Sequence, residues 1–399
     1  YQRKRYPTSS KHYDTPAKCH LPKWQSHSLR EQNQGIEIMR LTFSEIKSKI
    51  GKIIPNGIDY DVDLEAGSIA IITTQPESFG GAGGENLTVK IAKGIKRRVV
   101  IRPHPSMLSD EEGVNDAVNR IIPPEAQVRR IWLDPALSEV TLEVDDPQSA
   151  VGPRGSIVQA LRDEIGWLVN VVRAPARESR TQTDIRRFRK ELAEDRKSLL
   201  RKFGTRIYRP QRPGEKWVRV TALGSYREVG RAMHLVTTNE SKVLVDCGAK
   251  PTNNRSEVQP FFAAPEMLPL DNIDAVVITH AHVDHIGMLP VLFKYGYKGP
   301  VYCTPPTRDL MTLLQMDYIK VAKAEGNEPP YSKGDIQECI KHVVDINWGD
   351  KTDIAPDVKM TMENAGHILG SSSVYMQIGE GREEHRLLFS GDIKYEKSW

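Results

Sequence analysis

The sequence is poor in cysteine. Its 399 residues hold four, Cys19, Cys247, Cys303 and Cys339, and no CxxC pair. A disulfide framework is therefore not expected, and a reducing cytoplasm is the simpler setting. Long apolar runs are also missing: none approaches the roughly 18 residues of a membrane-spanning helix, so no membrane partner is expected. The polar N-terminus shows no secretory signal. What is present is enough apolar material, 39% of the chain, to build cores for two to four domains.

Charge is nearly balanced overall, at +4, but unevenly spread. Between Arg173 and Arg219 stand sixteen Lys/Arg against six Asp/Glu. A belt of that density suits a polyanion, or else it is a salt-bridged linker helix. Charge alone leaves both readings open. Ile185, Phe188, Leu192, Leu199 and Leu200 form a narrow apolar stripe, so the belt is expected to be helical up to Gly204, with Pro210 and Pro213 ending it.

Residues 1–38 are polar, basic and aperiodic and read as a disordered tail or an upstream artefact. Over 39–105 the pattern reads helix, strand, strand, helix, strand. The apolar spacing of Phe43, Ile46, Ile50, Ile53 and Ile54 marks the first helix, and Ser68–Thr73 marks a strand. Residues 106–176 largely repeat that order, which points to an internal duplication. The belt fills 177–215. From 216 to 399, strand-like runs alternate with helical ones, as in an α/β domain.

The densest chemistry is His280-Ala281-His282-Val283-Asp284-His285, directly after the apolar run Ala275–Ile278. On an extended segment, positions two apart face the same way. His280 and His282 can thus address one metal. Asp284 and His285, where the chain turns into a helix, can address a second. Four such side chains in six residues would be costly to gather without a cation. Later in the chain, Asn364-Ala365-Gly366-His367 and Ser390-Gly391-Asp392 offer two more ligands, His367 and Asp392. Val243-Leu244-Val245-Asp246-Cys247-Gly248 ends a strand with an acid. Asp246 is expected either to orient a ligand histidine from behind or to cap a loop.

The set VDCG, HAHVDH, NAGHILG and SGD, in this order, resembles the metallo-β-lactamase superfamily. The flanking Tyr295–Thr307 and Arg308–Tyr318 are similar to the β-CASP ribonucleases. Among those, the chain looks most like the archaeal cleavage-and-polyadenylation-specificity-factor type, with two KH domains before the hydrolase. The resemblance covers about 39–399 and is strongest over 216–399. It implies that His280, His282 and His367 bind one metal, that Asp284 and His285 bind the other, and that Asp392 bridges them. It also implies a later histidine ligand, a β-CASP insertion and a general acid beyond Trp399, so the chain reads as a truncated fragment of weak or absent activity.

Val151-Gly152-Pro153-Arg154-Gly155-Ser156 fits the GxxG loop of a KH domain, whose backbone approaches nucleotide phosphates, or else it is a plain helix-entry turn. The RNA-binding residues would be Gly152, Pro153, Arg154 and Gly155. The first unit has only Gly80-Gly81-Ala82-Gly83-Gly84, read as a flexible loop. That unit is taken as a degenerate KH fold whose Lys90, Lys93, Lys96, Arg97 and Arg98 either touch phosphate or form a solvated helix face.

The expected architecture is an α/β and α+β multidomain chain: two type II KH-like units followed by the first half of a metallo-β-lactamase αββα sandwich. Two Zn2+ are expected, with Mn2+ or Fe2+ not excluded by the ligand set. Two cations can hold a hydroxide between them and neutralise a phosphate. The reading is a zinc-dependent ribonuclease, endonucleolytic with a 5′-3′ exonuclease option. The resemblance adds RNA 3′-end formation, transcription termination, RNA polymerase as a partner and a homodimeric full-length protein. The competing readings are a non-catalytic RNA-binding scaffold and a hydrolase of another substrate. All six ligand positions are present, which favours catalysis; the KH-like units favour RNA.

Overall fold

The computed structural model describes residues 41–80, 86–211, 216–251, 258–381 and 384–394. The tail expected over 1–38, and residues 81–84 of the glycine loop, lie outside them.

The first unit is α1 (Phe43–Ile53), β1 (Tyr60–Glu65), β2 (Ser68–Thr73), α2 (Leu87–Ile95) and β3 (Arg98–Pro103). Helix α1 starts at Thr42, whose hydroxyl accepts from the Glu45 amide while the Glu45 carboxylate accepts from the Thr42 amide, so two otherwise orphaned donors are satisfied. Ile46 and Ile50 of α1 and Ile91 and Ile95 of α2, each pair four apart, pack on Ile69 and Ile71 of β2. β1 runs antiparallel to β2, and β3 runs parallel to it.

The second unit is α3 (Glu111–Ile121), β4 (Val128–Asp134), β5 (Glu139–Val144), α4 (Pro147–Val151), α5 (Ser156–Ile165) and β6 (Leu168–Arg173). Its central strand again pairs antiparallel with the strand before it and parallel with the one after it. The two units thus share strand order and sense, and each has its own core.

The basic belt is helical, as expected, but in two pieces, and it runs past Gly204. It forms α6 (Arg180–Glu191) and α7 (Ala193–Ile207), parting at Leu192. Gly204 does not stop the helix, because its role is spatial: a Cβ there would meet the Leu64 Cβ of β1 at 2.5 Å.

Part of the belt's charge is paired within the protein. Arg186 bonds Glu143 of β5. Arg196 bonds Asp134 of β4 at 2.9 Å, and Arg201 bonds Asp63 of β1 at 2.9 Å. Arg189 reaches Asp345 of the hydrolase at 2.6 Å, while Arg206 and Arg209 reach Asp274 at 2.6 and 2.9 Å. These six of the sixteen basic residues bind the belt to both KH-like units and to the hydrolase, while Arg177, Arg187 and Lys202 remain exposed.

The third region holds two sheets. The first contains β7 (Val218–Ala222), β8 (His234–Thr238), β9 (Lys242–Val245), β10 (Ala275–Val277), β11 (Val301–Cys303) and β12 (Val343–Asp345), in the order β12-β11-β10-β9-β8-β7. Strands β9 to β12 are parallel, and β7 and β8 are antiparallel. The second sheet is an antiparallel meander of β13 (Lys351–Ala355), β14 (Val358–Asn364), β15 (Ser372–Ile378) and β16 (His385–Phe389).

The period of two in each strand sorts its side chains between two cores. Val243, Val245, Ala275 and Val277 meet Met360, Val374 and Met376 of the second sheet. Leu244 and Val276 face the opposite way, toward Ile286 of α8 (Val283–Ile286), Leu289 and Leu292 of α9 (Leu289–Lys294), Met311 of α10 (Pro305–Ala324) and Ile336 of α11 (Lys333–Lys341). Burial on both faces explains why these strands read as continuous apolar runs.

Candidate metal centre

Strands β9 and β10 are parallel neighbours that end side by side. The crevice beyond the carboxyl ends of such strands is where open α/β sheets place ligands. Asp246 leaves β9 with a φ of 59°, a left-handed backbone that a non-glycine residue holds only when its surroundings fix it. Its amide donates to the Val277 carbonyl at 2.8 Å. Thr279 and His280 leave β10, and α8 then carries Asp284 and His285. Backbone hydrogen bonds of 2.8 Å from Ala232 to the Asp284 carbonyl and from Cys247 to the His285 carbonyl pin that helix in place.

The structure brings His280, His282, His367 and Asp392 together, with one ligand atom from each inside a 4.8 Å span. His282 Nδ1 lies 3.1 Å from His280 Nε2 and 3.0 Å from His367 Nε2. Asp392 Oδ2 lies 3.4 Å from His367 Nε2 and 3.8 Å from His280 Nε2. A tetrahedral zinc with bonds of about 2.0–2.1 Å to nitrogen sets its ligand atoms about 3.3 Å apart, so the donor set fits such an ion. Asp284 and His285 form a looser group beside it. His285 Nε2 is 3.9 Å from Asp284 Oδ2 and 3.5 Å from Asp392 Oδ1. One Asp392 oxygen therefore faces each group.

Asp246 Oδ2 lies 2.8 Å from His285 Nδ1. This contact places the histidine proton on Nδ1 and leaves Nε2 free as a ligand. His280 is fully buried. Burial, reinforced by the neighbouring His285, pushes its pKa down to about 4, which keeps the ring neutral as ligation requires. Burial would depress His285 too, but the adjoining Asp246 outweighs it and the net shift is upward.

Two contributors escaped the sequence reading. Thr279, 1% exposed, stands between Asp246 and His280. Ser371 Oγ accepts from the His367 amide at 3.1 Å and holds that loop in place. The signal for Thr279 was a hydroxyl between an apolar strand and a histidine cluster; no comparable signal marks Ser371.

In the second unit, Gly152, Arg154 and Gly155 have φ of 72°, 54° and 80°. They form a tight loop that opens directly into α5, with Arg154 exposed. In the first unit, Lys90, Lys93 and Lys96 are exposed. Arg97 and Arg98 do not lie on the α2 face with the lysines but are engaged in ion pairs. Buried Arg97 pairs with Asp353 at 3.6 Å and Glu380 at 3.8 Å, and Arg98 pairs with Asp350 at 2.9 Å. Both side chains serve the contact with the second sheet.

Residues 227–399 match the metallo-beta-lactamase superfamily, and residues 40–108 match the KH domain of transcription termination factor FttA. The chain thus carries a KH domain ahead of a metallo-beta-lactamase domain. More particularly, it is similar along most of its length to transcription termination factor FttA of archaea. It is 42% identical to that of Methanosarcina mazei over 355 residues, which cover 89% of this chain and 55% of the relative. It is 41% identical to that of Thermococcus kodakarensis over 359 residues, covering 88% and 55%. The chain spans about half the length of the curated relatives it matches. Among solved structures, Rm3 metallo-beta-lactamase overlaps 42% of this chain and 57% of its own, at 19% identity and a TM-score of 0.28.

Proposed function

We propose that the protein is a zinc-dependent ribonuclease acting in RNA 3′-end formation and transcription termination. The observation that carries this reading is the convergence of His280, His282, His367 and Asp392 in a chain that also holds KH-like units. His280, His282 and His367 would hold one zinc, Asp284 and His285 a second, and Asp392 both. Cations there supply Lewis-acid charge for a phosphodiester and a nucleophile at neutral pH. Around them the chain's own groups bind and orient: Asp246 fixes the His285 ring, and Ser371 fixes the loop of His367. RNA polymerase as a partner, a homodimer and a cytoplasmic location belong to the same proposal. Among the described residues, no helix is long and apolar enough to cross a membrane.

The test is zinc content and RNA cleavage of the zinc-loaded full-length protein beside its His280→Ala variant. The variant is expected to lose zinc and about 10^3-fold or more in rate, matching the several kcal/mol a cation contributes. Cleavage at the unmodified rate by His280→Ala would refute the assignment. For RNA binding, the tight loop at Gly152–Gly155 supports a phosphate contact at the start of α5. Arg154→Ala is expected to weaken binding of all single strands alike and to lower the slope of log affinity against log salt by about 0.7. An unchanged slope would remove Arg154 from the interface.

A further inference from the structure

Thr279 links the second-sheet loops, Asp246 and a candidate ligand. Its amide donates to Asp246 Oδ1 at 2.8 Å, and its Oγ1 lies 2.9 Å from Asp246 Oδ2. The same Oγ1 lies 3.0 Å from His280 Nδ1. Its carbonyl accepts from the Ser372 amide at 2.8 Å, next to the serine that steadies the His367 loop. Gly391, beside Asp392, packs so closely on it that a Cβ there would meet Thr279 Cβ at 2.9 Å.

Counting protons fixes the direction of these bonds. A carboxylate only accepts, so the Thr279 hydroxyl must donate its single hydrogen to Asp246. The hydroxyl oxygen is then left to accept: His280 Nδ1 lies at 3.0 Å, whereas His285 Nδ1, at 3.5 Å, already has Asp246 at 2.8 Å. That ring is held with its proton on Nδ1 and its Nε2 lone pair facing His282 and His367. Asp246 orients His285 directly and reaches His280 through Thr279.

We propose that Thr279 is the positioning residue of the three-histidine subsite, its hydroxyl extending the hold of Asp246 to His280. The inference rests on the metal-site reading above. Because Thr279 is almost fully buried, solvent cannot replace the hydroxyl. Valine fills the same space without an acceptor, and serine keeps the hydroxyl.

The experiment titrates zinc into the protein, Thr279→Val and Thr279→Ser against a competing chelator. Cobalt absorption spectra assign the two binding steps, with His367→Ala, which removes a ligand of the three-histidine subsite, as reference. Thr279→Val is expected to weaken the three-histidine step by about 10–100-fold, the usual effect of removing a partner that orients a ligand. The step built on Asp284 and His285 is expected to stay close to its original affinity, and Thr279→Ser to restore the first. Equal weakening of both steps with a lower melting temperature is the signature of a merely structural residue and overturns the proposal. So does a serine variant that behaves like valine. If the unmodified protein takes up two ions and Thr279→Val does too with unchanged affinity, this inference alone fails. If the unmodified protein takes up none, the metal-site reading falls and this inference with it.

Discussion

Asp246→Asn is expected to release zinc from both subsites, although Asp246 is not among the proposed ligands. One carboxylate, 3% exposed, serves the Thr279 amide, the Thr279 hydroxyl and His285 Nδ1. All three are donors. An asparagine offers one accepting oxygen and turns an NH2 group toward the rest, so at least one buried donor loses its partner, at about 1–3 kcal/mol. Each histidine left unfixed loses about 10–100-fold in metal affinity. His285 is affected directly and His280 through Thr279, so the two effects combine toward about 10^2–10^4-fold. Asparagine is the clean substitution, because it tolerates the left-handed backbone at this position. Alanine would add about 1–2 kcal/mol of strain there. Zinc per chain after dialysis at a fixed free concentration is the measurement. Two ions retained at the original affinity would show that the carboxylate is a structural cap with no hold on the metals.

How much of this could be read from the sequence depended on how local each feature is. The cluster at His280–His285 was legible because it lies within six residues at a strand end. His367 and Asp392 lie 82 or more residues beyond it and could be paired with it only through motif order; the fold brings them in because the β14–β15 turn and the segment after β16 lie against Thr279 at the end of β10. The KH-like units were legible from apolar spacing, since each buries its own core. The belt was not. A count of charges cannot tell an arginine facing solvent from one facing an acid, and the partners of Arg189, Arg201 and Arg206 stand 156, 138 and 68 positions away. Arg97 and Arg98 were misassigned for the same reason. Thr279 was passed over because a threonine carries no charge to count, and its importance appears only once β9 and β10 are side by side.

Asp345→Ala is expected to give the largest loss of stability. Asp345 Oδ2 accepts from Arg189 of α6 at 2.6 Å and from Arg308 of α10 at 2.7 Å. Those arginines are 6% and 7% exposed, and Arg196, 3% exposed, sits in the same network on Asp134. Removing one member of a buried ion pair leaves a charge without compensation, at about 3–5 kcal/mol. Arg308 keeps Asp309 at 2.8 Å, but among the described residues Arg189 keeps only Asp134, at 3.7 Å. Burial would raise the Asp345 pKa, yet Arg189 and Arg308 hold it down to about 2. A carboxylate whose folded pKa is depressed stabilises the protein above its unfolded value, near 4, and loses that contribution as pH falls through its folded value. The unfolding midpoint of Asp345→Ala at neutral pH should therefore lie roughly 10 °C below that of the unmodified protein. The gap should narrow as the pH drops from about 4 toward 2. Because α6 then loses its tie to β12, calorimetry should also separate the hydrolase transition from that of the KH-like units. A variant that melts within about 2 °C of the original in a single transition would mean that Arg189 and Arg308 are held well enough without Asp345.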